Sequence, residues 1–126
     1  MRRHLLDTCV LLWAVREPKR LSRAARRILD SDAELLFSPA SAWEIIAKSS
    51  KLKLSGRAGE WVRTHRQELG LEWLPIYGEH ILLLDSLPWL HNDPFDRILV
   101  CQSIAEDVTL LTPDQGIQRY QAKTIW

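Results

Sequence analysis

Apolar positions along this chain fall into short runs that alternate with longer amphipathic stretches. His4–Leu6, Leu35–Phe37, Trp73–Ile76 and Thr109–Leu111 read as strands, and Lys123–Ile125 as a fifth at the edge. Between them lie helical patterns. Thr8–Val15 is apolar enough for a buried helix, and Glu17-Pro18 interrupts it. Ser22 caps a helix carried by Ala24, Ala25, Ile28 and Leu29. Ser38-Pro39 is a cap followed by proline at the first helical position. That helix carries Trp43, Ile45, Ile46 and Ala47 and is expected to end between Leu52 and Gly56. Ala58–Leu69 is stopped by Gly70 and Glu79–Leu87 by Pro88. Asn92-Asp93-Pro94 opens a helix to Glu106, and Thr112-Pro113-Asp114 opens a last short one. Strands alternating with helices predict an α/β fold with a mostly parallel sheet of four to five strands. With no linker or internal repeat, residues 1–126 read as one domain.

In such sheets ligands bind beyond the carboxyl ends of the strands. Asp7 follows the first strand directly, and Asp114 follows the fourth closely. Glu44 sits early in the helix after the second strand, and Asp96 in the first turn of its helix. Each acid has a plain structural reading. Asp7 can cap the helix from Thr8, Glu44 has capping-box spacing from Ser41, and Asp114 can face a helix dipole. Capping does not require all of them on one rim. Gathered there, carboxylates resist joint ionisation unless a cation relieves them. An all-oxygen donor set suits Mg²⁺ or Mn²⁺ rather than zinc. A cation so held lowers the pKa of bound water and polarises a phosphoryl oxygen, which is phosphodiester hydrolysis chemistry.

Composition narrows the picture. The net charge of +1 is low for a dedicated non-specific nucleic-acid binder, so positive charge must act locally. It is clustered, at Arg16, Lys19, Arg20, Arg23, Arg26 and Arg27, and again at Lys48, Lys51, Lys53 and Arg57. A solvated helix face explains any single one of these. Cys9 and Cys101 sit in apolar runs and read as reduced core residues of a cytoplasmic protein. The opening residues meet Asp7 too early for a signal peptide, and no apolar run is long enough to span a membrane. The histidines, His4, His65, His80 and His91, lack zinc-ligand spacing and read as surface residues or ordinary hydrogen-bonding partners. No phosphate-binding glycine loop is present. Trp13 and Trp43 are expected in core or dimer packing rather than on RNA bases.

Four segments in order, LLDTCVLLWA (Leu5–Ala14), SPASAWEIIAK (Ser38–Lys48), HNDPFDRILVCQSIA (His91–Ala105) and LLTPDQGI (Leu110–Ile117), resemble the acidic motifs of PIN-domain ribonucleases. The likeness is strongest to the toxins of VapBC-type toxin–antitoxin pairs. It implies a three-layer α/β/α sandwich, cleavage of single-stranded or loop RNA, a homodimer, and an antitoxin whose tail fills the groove. It also implies Asp7 and Asp96 as direct metal ligands, with Glu44 as a ligand or the holder of a metal-bound water. Asp114 would serve a second metal or orient water. Thr8 and Thr112 would position a carboxylate or phosphate. Of the two acids in Asp93-Pro94-Phe95-Asp96, Asp96 matches the motif and Asp93 reads as the helix cap. Arg97 would neutralise carboxylates, touch phosphate or form a buried ion pair. The rival is a catalytically silent PIN-fold module that binds RNA or protein. A haloacid-dehalogenase-type phosphatase needs a second Asp where Cys9 stands, and a response-regulator receiver needs an acidic pair after the first strand.

Overall fold

A computed structural model describes residues 2–126. Five parallel strands form one sheet: β1 (Arg3–Leu6), β2 (Glu34–Phe37), β3 (Glu72–Trp73), β4 (Thr109–Leu111) and β5 (Thr124–Ile125). Their spatial order is β3-β2-β1-β4-β5. The chain starts in the middle, builds outward to β3, then crosses to the far side of β1. The switch in direction therefore falls between β1 and β4, whose register pairs Leu6 with Leu111. A crevice opens at such a point because the connections leave the two strands on opposite sides.

Among the described residues, eight α-helices connect and cover the strands: α1 (Thr8–Arg16), α2 (Arg23–Leu29), α3 (Pro39–Ala47), α4 (Ser49–Leu52), α5 (Ala58–Glu68), α6 (Gly78–Leu83), α7 (Pro94–Glu106) and α8 (Gln115–Gln118). Strand alternation divides the core between two layers. Leu5, Leu36 and Leu110 point to one face and pack with Leu99 and Ile98 of α7. Leu6, Leu35, Phe37 and Leu111 point to the other and pack with Val10 and Leu11 of α1 and with Trp61 of α5. Each fully buried leucine on these strands contributes about 1.5–3 kcal/mol. The α/β/α layering follows, since a sheet apolar on both faces must be covered on both.

The expected caps are present. Ser22 Oγ accepts the Ala25 amide at 3.0 Å, and Ser38 Oγ accepts that of Ala40 at 3.0 Å. Because Ser38 is the N-cap of α3, Glu44 owes nothing to a capping box from Ser41. Three boundaries differ from the sequence reading. The helix after β2 breaks at Lys48, and its continuation α4 ends at Lys53, whose φ of 54° is left-handed. The third strand is Glu72–Trp73 rather than Trp73–Ile76, because Pro75 has no amide to extend the ladder. The helix expected over Glu79–Leu87 ends at Leu83 and runs on as successive tight turns. Among the described residues, no helix is long and apolar enough to cross a membrane.

Candidate active site

The crevice between β1 and β4 opens into a cleft of about 480 Å³ whose lining includes Asp7, Glu44, Asp96 and Asp114. Asp7 leaves the sheet immediately after Leu6 and is 5% exposed. Its Oδ1 accepts the Thr8 amide at 2.7 Å, and its Oδ2 accepts the Thr112 hydroxyl at 2.7 Å. The capping and site roles thus fall on one side chain. Burial pushes the Asp7 carboxyl up to about 6, against the pull of those two hydrogen bonds, and the charges of Asp114 and Glu44 add to the rise. The Thr8 hydroxyl donates to Ser41 Oγ at 2.9 Å and ties α1 to α3 beside the cleft that Thr8 helps to line.

Asp114 is the N-cap of α8. Its Oδ1 accepts the Gly116 and Ile117 amides at 2.7 and 3.1 Å. Its own amide donates to Thr112 Oγ1 at 3.0 Å, so this hydroxyl links both acids of the crevice. On α7, Asp93 is the cap, accepting the Phe95 and Asp96 amides at 2.9 and 3.1 Å. Asp96 is left with its side chain turned to the cleft. Burial, then the charges of Asp7, Asp93, Glu44 and Asp114, push its carboxyl up to about 8. Glu44 comes from α3 and is 9% exposed. Its Oε2 accepts the Lys48 ammonium at 2.6 Å, while its Oε1 is buried with no hydrogen-bond partner.

Several side chains sit elsewhere than the sequence suggested. Arg97 touches no carboxylate. It is 3% exposed, stacks 3.8 Å from the Trp89 ring centroid, and donates to the carbonyls of Pro88 (2.8 Å) and Leu87 (3.2 Å) and to the Tyr120 hydroxyl (3.0 Å). It pins the loop before α7 and is neither a phosphate contact nor half of a buried ion pair. Trp43 is 66% exposed and packs edge-on against Phe95 with ring centroids 5.3 Å apart, so it is not a core residue. Trp13 is partly buried and lines the cleft, with Arg20 over its ring at 4.0 Å and Trp126 at its edge. Cys101 is in the core as expected, but Cys9 lines the cleft with its Sγ 3.8 Å from Asp7 Oδ2. Both thiols are free.

Two residues of the site carry no acid and escaped the sequence reading. Lys48 pairs with Glu44 and lines the cleft. Its i+4 spacing from Glu44 on a helix was the available signal. His91 Nε2 lies 3.0 Å from Asp96 Oδ2 and 3.6 Å from Asp114 Oδ2. Ligand atoms of His91, Asp96 and Asp114 all fall within 4.8 Å of one another. Its position just before the Asp93 cap, which folds the chain back over the start of α7, was the signal for it. His80 behaves as an ordinary partner: it is buried, accepts the Tyr77 amide at 2.9 Å, and its Nε2 lies 2.9 Å from Glu106 Oε2.

The donor set fits a divalent cation. Burial and mutual repulsion leave Asp7 and Asp96 short of counter-charge, and Glu44 has a buried oxygen with nothing to bind. Oxygen donors in that state suit a hard divalent ion.

Fold and site together define an α/β chain that gathers carboxylates at the switch point of a parallel sheet. The family model for the PIN domain matches residues 4–123, and the chain belongs to that family. It is 26% identical over 130 residues to Ribonuclease VapC22 of Mycobacterium tuberculosis (strain ATCC 25618 / H37Rv), with 97% of each chain covered. Solved structures share the fold at lower identity. A chain of VapBC2 from Rickettsia felis, bound to a DNA fragment from their promoter, superposes with a TM-score of 0.72 at 16% identity, covering 98% of this chain and 97% of that one. A chain of DNA-bound VapBC from Salmonella typhimurium gives 0.70 at 14% identity, covering 100% and 98%. A chain of FitAcB from Neisseria gonorrhoeae gives 0.67 at 17%, covering 98% and 96%.

Proposed function

We propose that this chain, acting as one PIN domain, is a Mg²⁺- or Mn²⁺-dependent endoribonuclease that hydrolyses phosphodiester bonds in single-stranded or loop RNA. We further propose that it is the toxin of a type II toxin–antitoxin pair, working in the cytoplasm as a homodimer and restrained by a cognate antitoxin. The observation that carries the reading is the convergence of Asp7, Glu44, Asp96 and Asp114 on one cleft of a PIN-family chain. The relative named as a ribonuclease, and the fold shared with toxin–antitoxin complexes, support it.

In this reading Asp7 and Asp96 ligate the cation, with Glu44 and Asp114 completing the acidic set. The cation, when bound, supplies an activated water and a Lewis acid for the phosphoryl oxygen. The chain's own residues prepare that site. The Thr112 hydroxyl and the Thr8 amide fix both oxygens of Asp7 in one orientation. The cap bonds of Asp114 occupy one of its oxygens and leave the other toward the cleft. Lys48 offers a positive charge beside Glu44, where a phosphate of the substrate would approach. Leu12, Trp13, Ile45 and Leu52 give the cleft an apolar wall against which a nucleobase can lie.

The test is cleavage of a mixed single-stranded RNA by antitoxin-free protein, with Mg²⁺, with Mn²⁺ and with EDTA. Cleavage that needs the ion and disappears in a folded Asp7→Asn variant is expected. Cleavage that survives EDTA, or full activity of that variant, would overturn the assignment. A folded chain that binds RNA but cuts nothing under any metal would point to a binding module.

A further inference from the structure

Trp13 stands where the acidic cleft turns apolar. From the Asp7 cap onward, α1 lines the cleft with Thr8, Cys9, Leu12 and Trp13. At roughly 1.5 Å of rise per residue, Trp13 lies about 9 Å along the helix axis from Asp7, within reach of a single nucleotide. The edge contributed by α3 and α4 follows the same course, from Glu44 through Lys48 to Leu52. Both edges thus begin at a carboxylate and end on a large apolar side chain.

The indole is held from outside the cleft. Arg20 lies over the ring with its Cζ 4.0 Å from the centroid, and Trp126 meets it edge-on with centroids 5.8 Å apart. Arg20 is itself paired with Glu17 at 3.2 Å. Neither Arg20 nor Trp126 lines the cleft, so what they leave uncovered is the part of the ring that the cleft meets. A surface already fixed in place costs little further ordering when a ligand lies on it. Among the described residues, Lys48 is the one cation in the cleft lining. The place therefore suits a ligand with a flat apolar part for the indole and a negative charge close behind it for Lys48. An aliphatic peptide side chain would use the apolar wall and leave the lysine idle, whereas a nucleotide uses both.

We propose that Trp13 is the base-stacking platform of the cleft: one nucleotide beside the scissile phosphate lays its base on the indole, with Leu12, Ile45 and Leu52 around it and Lys48 facing its phosphate. The proposal rests on the reading of this cleft as the place where RNA is held. A base seated on Trp13 fixes which phosphodiester bond comes to lie at Asp7 and Asp96, so the platform sets the register of cleavage. It selects single strands and loops, since only an unstacked base can be splayed onto a side chain. It accepts any base, because each has a π-face, and so does not itself read sequence.

The experiment has two arms, both on the full chain. In the first, an RNA oligonucleotide that wild type cuts is remade with a single abasic nucleotide at each position around the cut, and KM and kcat are measured for wild type, Trp13→Phe and Trp13→Leu. One abasic position is expected to raise KM about 5–100-fold in wild type, the range for base–aromatic stacking. The same change should add almost nothing in Trp13→Leu and should keep much of its effect in Trp13→Phe. In the second arm, single-stranded RNA carrying 5-iodouridine is irradiated with wild type, in EDTA and in Mn²⁺. Crosslinks are expected on the tryptic peptide His4–Arg16, in which Trp13 is the sole tryptophan. Equal abasic penalties in wild type and Trp13→Leu would overturn the proposal. So would crosslinks absent from that peptide, and the apolar wall would then fall to a side chain of a protein partner. Crosslinking at Trp13 in a chain that cuts no RNA would keep the platform and bring down the nuclease reading alone. The crosslinking arm needs no variant, so it decides the matter even where Trp13→Leu fails to fold.

Discussion

The hydroxyl of Thr112 donates to Asp7 Oδ2 at 2.7 Å across 105 residues of sequence, and Thr112 Oγ1 itself accepts the Asp114 amide at 3.0 Å. A single threonine thereby sets the orientation of the acid at the end of β1 and the entry to α8. Thr112→Val keeps the shape and removes both bonds. Hydrogen bonds to a charged group are worth about 1.5–3 kcal/mol, so unfolding free energy should fall by roughly that amount. RNA cleavage should fall at least about tenfold. Urea denaturation and a cleavage assay on one preparation check both, and an unchanged cleavage rate would sever Thr112 from the site.

Stability should depend on pH in a direction opposite to ordinary paired carboxylates. Asp7 and Asp96 titrate at about 6 and about 8 in the folded chain, against 3.8 ordinarily. The folded state therefore binds more protons than the unfolded state across that interval. Linkage then makes cation-free stability fall as pH rises from about 4 to about 8. Mg²⁺ or Mn²⁺ binds the ionised forms, so at saturating ion the fall should flatten or reverse. Urea midpoints at several pH values, with EDTA and with Mn²⁺, measure this. A cation-free midpoint that climbs through the window would contradict it.

Arg97 should prove structural rather than catalytic. Arg97→Ala removes the donor from the buried carbonyl of Leu87 and the partly buried one of Pro88, and takes away the stack on Trp89. A buried acceptor left unmade costs about 1–3 kcal/mol, so a loss of about that size is expected. Arg97→Lys should recover little of it, since an ammonium cannot serve a planar fork of acceptors. Wild-type stability in either variant would refute this account of the loop.

Gly116→Ala separates stability from activity. Alanine is the better helix residue by about 1 kcal/mol, and the backbone here places no demand for glycine. The contact is what matters: the new methyl meets His91 and Asp114 at 2.9 Å. Mn²⁺ affinity and RNA cleavage should drop several-fold while the melting temperature moves by only a few degrees. Equal loss of both would mean that the helix, not the site, was disturbed.

The strands and helices were legible because each obeys a local rule. Short runs of consecutive apolar residues, buried on both faces, wrote the sheet, and Ser22, Ser38 and Asp93 wrote helix starts. The acids were legible as a set because topology places strand ends on one rim. What stayed hidden was long-range. Nothing near Arg97 says that its partners will be carbonyls nine and ten residues back. Trp43 stands on an apolar helix, yet the apolar stripe of α3 turns Ile45 inward and leaves Trp43 outside. Lys48 ended its helix earlier than composition suggested, because its backbone, at φ −102° and ψ 14°, leaves the helical region before α4 begins. His91 was passed over as a residue type without metal spacing, whereas its place is fixed by tertiary contacts to Tyr120 and Gly116.

The neighbourhood of β1 and β4 also orders events during synthesis. β1 is made first, but the strand that completes its acidic end follows roughly a hundred residues later. Until Thr112 and Asp114 have left the ribosome, Asp7 has neither its hydroxyl partner nor its companion acid. A chain made only part of the way to that point therefore lacks part of the cleft's acidic rim, and the site assembles only once β4 and the start of α8 have been added.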